Sequence, residues 1–107
     1  MTMDEKLEQM AIMLGEKVEN NVLRVYLSSA KSKILNYRFP YGIPEDINDV
    51  EAQYEHLQIE LAIVLYNERG IEGQATHSEN GISRSWRSEK QVLNEITPKA
   101  GFPYEER

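Results

Sequence analysis

The fold of this chain is decided by residues 48–70, which read NDVEAQYEHLQIELAIVLYNERG. At about 100° of rotation per helical residue, the apolar side chains of this stretch fall into two groups on roughly opposite sides of one helix. The first group is Val50, Tyr54, Leu57, Leu61, Val64 and Leu65, and the second is Ala52, Ile59, Ala62, Ile63 and Tyr66. A helix that is apolar on two sides needs two packing partners. It is therefore either the central helix of a small bundle or a helix between its own core and a second subunit, and the pattern favours neither.

Local signals predict where this helix and an earlier one begin and end. Asn48 resembles the cap at the start of a helix and Gly70 a stop, which bounds the third helix. Thr2 and Glu5 have the spacing of a capping box, so a first helix is predicted from Met3 to Leu14. Gly15 then supplies a natural C-terminal stop for that first helix.

A second helix is expected over about residues 20–36, between the other two. Its main apolar stripe is Leu23, Tyr26, Leu27, Ala30, Ile34 and Tyr37. Val25 and Leu35 fall outside this stripe, so we expect both side chains to be partly exposed in a single subunit. Residues 21–36 hold three bases and no acid, whereas residues 37–70 hold two bases and seven acids. The favoured interpretation is that these are solvated helix faces that differ in charge, because exposed ion pairs contribute little to stability. The alternative is that the segments attract each other, either within one subunit or between copies.

The character of the sequence changes after Gly70. Residues 71–87 are polar, and Asn80–Gly81 is a strong turn dipeptide, so we expect a polar loop or a short β-hairpin here. Ser88 and Gln91 have the spacing of another capping box, which predicts a short last helix ending near Ile96. The expected fold class is therefore mostly α, a small bundle of three main helices plus a short C-terminal helix, in a single domain over residues 1–107. Residues 97–107 are expected to form a flexible tail.

Composition excludes several classes of protein. The chain has 107 residues, a formal net charge of -6 and no cysteine, which removes disulfide scaffolds, cysteine-based zinc sites and thiol nucleophiles. The acidic balance argues against a general nucleic-acid binder. No apolar run approaches the roughly 20 residues that span a bilayer, and the acidic N-terminus does not resemble a signal peptide.

Catalytic and metal-binding patterns are scarce. His56 and Glu60 are four residues apart, which could place two metal ligands on one helical face, but no third ligand is indicated. The numerous serines lie in no Gly-x-Ser-x-Gly nucleophile elbow, and no phosphate-binding glycine fingerprint occurs. We therefore expect no catalytic residues, no metal and no cofactor.

Two motifs in the second half of the chain point to a family. The helix that ends in Tyr66-Asn67-x-Arg69-Gly70 is followed by Glu72-Gly73 and then by Ser78-Glu79-x-Gly81-Ile82-Ser83. Together with the order of the helices over about residues 5–100, these motifs resemble the small head–tail connector proteins of tailed bacteriophages. Asn80 stands where relatives often carry a glycine, and asparagine tolerates the same backbone.

The resemblance implies a structural virion component without enzymatic activity. Such proteins are small helical bundles that form a ring beneath the portal, typically with its dodecameric symmetry. The ring joins head to tail, extends the DNA channel and docks the next connector or tail-completion protein, while DNA passes through without sequence-specific binding. The resemblance also implies synthesis in the bacterial cytoplasm, a place at the head–tail interface of the virion and no membrane partner. The alternative is a dimeric helical adaptor or DNA-binding regulator that uses Arg24, Lys31 and Lys33, although these three bases do not share one helical face.

Candidate contact residues follow from both lines of reasoning. The apolar residues outside the main stripes are the predicted subunit interface, namely Val25, Leu35, Ile59, Ile63 and Tyr66. The polar loop with one large aromatic anchor is a common recognition shape and is the predicted contact with the portal or a neighbouring subunit. Its residues are Ser78, Gly81, Ile82, Arg84 and Trp86.

Overall fold

A computed structural model of the protein describes residues 1–68 and 87–99. Over these residues the chain forms four α-helices and no strand. They are α1 (Met3–Leu14), α2 (Asn20–Arg38), α3 (Glu55–Glu68) and α4 (Glu89–Leu93), with a 3₁₀ turn at Ala52–Tyr54 directly before α3. The predicted fold class, three main helices plus a short C-terminal one, is confirmed. The predicted loop or hairpin of residues 71–87 lies almost entirely outside the described residues.

The ends of α1 are those predicted from sequence. The Thr2 hydroxyl accepts a hydrogen bond from the Glu5 backbone N–H at 3.1 Å, and the Glu5 carboxylate accepts one from the Thr2 N–H at 2.8 Å. At the other end Gly15 has φ 73°, a left-handed conformation that favours glycine, and its N–H donates to the Ala11 carbonyl. Both ends depend on residues close in sequence, which is why the pattern predicts them.

The second helix runs two residues further than expected, to Arg38. Its last turn closes when the Phe39 N–H donates to the Leu35 carbonyl at 2.9 Å. Pro40 follows, and a residue before proline is disfavoured in the helical region, so the helix ends there.

The third helix begins later than predicted. The expected start near Asn48 is wrong, because α3 begins at Glu55 after the 3₁₀ turn, whose N-cap is Glu51. The Asp49 carboxylate accepts a hydrogen bond from the Val50 N–H at 2.7 Å. Such a local side-chain bond competes with helix formation and keeps this stretch outside the helix.

Helix α3 is the central helix of the bundle and packs against α1, α2 and α4. Both of its apolar sides are buried within the one chain, since Leu57, Leu61, Ile59 and Ile63 all belong to the same core. That core also contains Leu7 and Met10 from α1, Leu23, Leu27, Ala30 and Ile34 from α2, and Val92 and Ile96 at the C-terminal end. The structure therefore selects the central-helix alternative for this element.

Two polar side chains lie inside this core. Lys6 and Gln58 are 2% and 1% exposed. The Lys6 ammonium donates to the Gln58 side-chain oxygen at 2.6 Å, and the Gln58 amide nitrogen donates to the Leu27 carbonyl at 3.0 Å. Lys6 also lies 3.5 Å from the Asp49 carboxylate. This network connects α1, α2 and α3 through hydrogen bonds that the apolar pattern does not indicate.

The first residues of the predicted tail contact the bundle. The Arg38 guanidinium donates to the Thr97 carbonyl at 2.5 Å, the Lys99 N–H donates to the Arg38 carbonyl at 2.7 Å, and the Thr97 N–H donates to the Tyr54 hydroxyl at 3.3 Å. Residues 100–107 lie outside the described residues, and the flexible tail stays a prediction. No helix in the described part of the chain is long and apolar enough to cross a membrane.

Candidate interaction surfaces

The outer side of α2 carries the most exposed of the predicted interface residues. Val25 is 60% exposed, and its neighbours Arg24 and Ser28 are exposed as well. Val25 therefore has the exposure expected from its place outside the apolar stripe. Leu35 does not, since only 6% of it is exposed. Phe39 follows Leu35 by four residues, lies on the same side of α2 and is also buried. This side of α2 is therefore covered at the end of the helix.

The other three predicted interface residues are buried inside the single chain. Ile59, Ile63 and Tyr66 pack in the core on the second apolar side of α3. The Tyr66 ring meets the Tyr26 ring edge to face at 5.6 Å, and its hydroxyl donates to the Glu16 carboxylate at 2.8 Å. The core thus accounts for the apolar pattern that singled these residues out. A role for them in subunit contact stays a prediction, and of the five residues Val25 presents by far the most surface.

Other exposed apolar side chains were not identified from the sequence. Ile12 on α1 is 71% exposed, and Ile43 in the segment after α2 is 39% exposed. The sequence does indicate that Ile12 is exposed, because this residue falls outside the apolar stripe formed by Leu7, Met10 and Leu14. Single exposed apolar residues are common on protein surfaces, so exposure alone does not indicate a contact. The charges around each residue must be considered as well.

Some charged side chains of the bundle form ion pairs, whereas others form none with a described residue. Lys33 on α2 pairs with Glu89 on α4 at 2.9 Å, and Arg38 pairs with Glu51 at 2.8 Å. Arg24 on α2 forms no ion pair with any described residue. The exposed carboxylates of Glu45 and Asp46 form none within residues 1–68 and 87–99 either.

Ion pairs of Arg87 with two glutamates hold the start of the C-terminal segment against α3. The Arg87 guanidinium donates two hydrogen bonds to the Glu60 carboxylate, at 2.6 and 2.8 Å, and a further one to Glu95. The hydrogen bond from Arg87 lowers the pKa of Glu60, and this effect exceeds the opposing effect of burial. Electrostatic interactions with Arg87 and, to a smaller extent, with His56 lower the Glu60 pKa as well. Glu60 therefore forms an ion pair that anchors Arg87. The structure adds no third metal ligand to His56 and Glu60, since no group of three potential metal ligands occurs in the described part of the chain.

A shallow groove of about 430 Å³ lies between α4 and the ends of α2 and α3. It is lined by Tyr37, Glu68, Ser88, Glu89, Lys90, Leu93 and Asn94. The Tyr37 hydroxyl donates to the Asn94 side-chain oxygen at 3.2 Å, and Glu89 is already paired with Lys33. The groove therefore offers a mixed polar and apolar surface, and its described lining contains no histidine or cysteine that could act as a base or nucleophile.

The predicted contact loop is not part of the described structure. Ser78, Gly81, Ile82, Arg84 and Trp86 all lie between Glu68 and Arg87, outside the described residues. Their role stays a prediction that experiment must test.

Comparison with known proteins identifies a family for this chain. The model of the family described as "Phage gp6-like head-tail connector protein" matches residues 5–99, which is most of the chain. No curated protein matches the chain. No solved structure matches it either.

Proposed function

Because the chain belongs to the family of phage gp6-like head–tail connector proteins, we propose that its copies form a ring beneath the portal and extend the DNA channel toward the tail. The family is a structural one and not a family of enzymes, and its members connect the head to the tail of the virion. The match over residues 5–99 is the observation that carries the proposal, since it covers all of the described helices except the first two residues of α1.

The shape of the bundle supports this proposal. One core holds the described helices together, which suits a subunit that folds before it assembles. Exposed apolar residues remain on α1, on α2 and in the segment after α2, at Ile12, Val25 and Ile43. A ring needs two different patches on each copy, because each subunit meets one neighbour on each side.

The net charge suits a channel through which DNA passes. Tight DNA binding requires basic side chains that neutralise phosphates, and the chain carries a net charge of -6. DNA therefore passes such a ring without being held by sequence-specific contacts. Measurable, salt-dependent binding of the isolated protein to duplex DNA would contradict this part of the proposal.

The ring is tested by combining the protein with the portal protein of the same phage. Mass measurement and negative-stain imaging of the mixture should show a ring of connector subunits on the portal, with its dodecameric symmetry. A chain that binds no portal protein and remains monomeric beside it would overturn the proposal.

The contact loop belongs to the same proposal. We expect the predicted contact residues Ser78, Gly81, Ile82, Arg84 and Trp86 to meet the portal or a neighbouring subunit. Replacing residues 78–86 by a Gly/Ser linker of equal length should abolish portal binding while the far-ultraviolet circular dichroism stays unchanged. If the replaced protein loses its helical signal, the loop has a structural role instead.

The alternative, a DNA-binding regulator using Arg24, Lys31 and Lys33, has less support. Lys33 is paired with Glu89, so only Arg24 and Lys31 remain on one side of α2. Two bases neutralise too few phosphates for tight binding. The DNA-binding measurement above decides between this alternative and the connector.

A further inference from the structure

Two surfaces of opposite charge on this chain are each paired with an exposed apolar side chain. The first, which we call the α2 outer face, consists of Arg24, Val25 and Ser28, and all three are exposed. The second, which we call the acidic loop, consists of Ile43, Glu45 and Asp46, which are also exposed. The two surfaces are thus complementary, since each joins an apolar residue to charge of one sign.

Among the described residues, these charges form no ion pair inside the bundle. The basic segment of α2 meets acids of its own chain at Lys33–Glu89 and, at the helix end, at Arg38–Glu51. Within residues 1–68 and 87–99, no ion pair involves Arg24, Glu45 or Asp46. Among the described residues these exposed charges therefore have no ion-pair partner, and they are available for contact with another copy.

We propose that the α2 outer face of one copy docks on the acidic loop of the next copy. In this contact Val25 packs against Ile43, and the Arg24 guanidinium pairs with the carboxylate of Glu45 or Asp46. Because two different surfaces meet, the contact is heterologous and repeats from copy to copy, as a ring requires. The inference rests on the proposed ring and names the surfaces that join its subunits.

The size of the surfaces sets the strength of the contact. A stable interface buries about 800 Å² on each partner, which is far more than three residues provide. Each contact is therefore weak alone, and many of them act together only when a scaffold such as the portal holds the copies side by side. Exposed charges are screened by salt, so the contact should weaken as the ionic strength rises.

The absence of cysteine from the sequence makes cross-linking a direct test. We would prepare Val25→Cys and Ile43→Cys as separate proteins, one with a mass tag, mix them on the portal protein and oxidise them mildly. A disulfide forms only when the two Cα atoms come within about 7 Å, so it reports direct contact. We expect the mixed dimer to be the main product and the two symmetric dimers to be minor, because only the mixed pair brings the two sulfur atoms within bonding geometry.

A matched control separates contact from mere exposure. Ile12→Cys has a more exposed position than Val25→Cys, so random collisions with Ile43→Cys should cross-link it at least as well. Equal yields from the Ile12 and Val25 proteins, or no mixed dimer at all, would overturn the proposed contact.

Charge reversal gives a second, independent readout. Arg24→Glu alone, and Glu45→Arg with Asp46→Arg alone, should each weaken assembly on the portal about tenfold through like-charge repulsion. A mixture of the two proteins should assemble again, because each contact then joins opposite charges. If the mixture is as weak as either protein alone while the unaltered chain forms rings, the contact is wrong and the ring stands. If the unaltered chain forms no ring on the portal, the proposed ring fails and the contact fails with it.

Discussion

At the scale of the residue, Lys6 is the side chain whose burial is least expected from its chemistry. Lysine is almost never fully buried unless its charge is paired, yet Lys6 lies in the core beside Gln58 and Asp49. The sequence pattern does not single out Lys6, and no apolar periodicity could show that a glutamine on α3 would accept its hydrogen bond. Such a pair fixes how α1 and α3 lie against each other, because any shift would leave a buried charge without its partner.

Removing the acceptor of Lys6 should therefore be costly. We expect Gln58→Leu to lower the free energy of unfolding by about 1–3 kcal/mol, because the buried ammonium group loses a hydrogen bond and keeps only its ion pair with Asp49. The double variant Lys6→Met with Gln58→Leu should recover part of that loss, since both polar groups are then gone. Urea unfolding measures the free energy of unfolding of the unaltered chain, the single variant and the double variant. The matched control is Gln9→Leu at an exposed site of α1, for which we expect little change. A double variant no more stable than Gln58→Leu would show that the network is not the cause.

The Arg87–Glu60 pair predicts a dependence on pH. Because Arg87 lowers the pKa of Glu60 in the folded chain, ionised Glu60 stabilises the fold above its ordinary pKa of about 4.3. This contribution disappears as the pH falls through the lowered pKa of the folded state. We expect Glu60→Gln to be less stable than the unaltered chain at neutral pH, and the difference between them to shrink below about pH 4. Urea midpoints across that range measure it, and Glu8→Gln, at an exposed site without an ion pair, should show no such convergence. A constant difference at all pH values would contradict the assignment.

At the scale of the element, prediction from sequence succeeds where the signal is local. The Thr2–Glu5 and Ser88–Gln91 capping boxes both form, because their donors and acceptors are three residues apart. The third helix shows the opposite case. Its two apolar sides were visible in the pattern, but whether α1, α2 and α4 or a second subunit would cover them depends on residues far away in sequence. The start of α3 has both kinds of cause, since the Asp49–Val50 hydrogen bond is local whereas Glu51 accepts a hydrogen bond from Arg38 on another helix.

Helix α4 is an element that depends on docking. It has five residues, too few to be stable alone, and its position relies on the burial of Val92 and Ile96. We expect Ile96→Ala to lower stability by about 2–4 kcal/mol and to increase hydrogen exchange at the Val92 and Asn94 amides. Lys33→Met, which removes the exposed pair with Glu89, should cost less than about 0.5 kcal/mol. Similar losses from both variants would mean that charge, and not burial, holds α4 in place.

At the scale of the whole molecule, folding and assembly should depend on different residues. Ile63 is 0% exposed whereas Val25 is largely exposed, although the sequence placed both in one predicted interface. We expect Ile63→Asp to abolish the cooperative unfolding transition, because a buried unpaired charge costs several kcal/mol. Val25→Asp should keep that transition and reduce ring formation on the portal. Circular dichroism and negative-stain imaging of the two variants provide the measurements, and a folded Ile63→Asp protein would show that this side of α3 is not core.

The burial of α3 on every apolar side has a consequence for how such a protein changes over generations. A helix enclosed by its own chain has few positions at which a new side chain is tolerated, whereas the outer positions of α1 and α2 can be exchanged with little effect on folding. The outward residues of α1 and α2 can therefore change between related proteins while the central helix is retained. Chimaeras that keep α3 and exchange the outward residues of α2 between relatives should fold alike and differ in the copies with which they assemble.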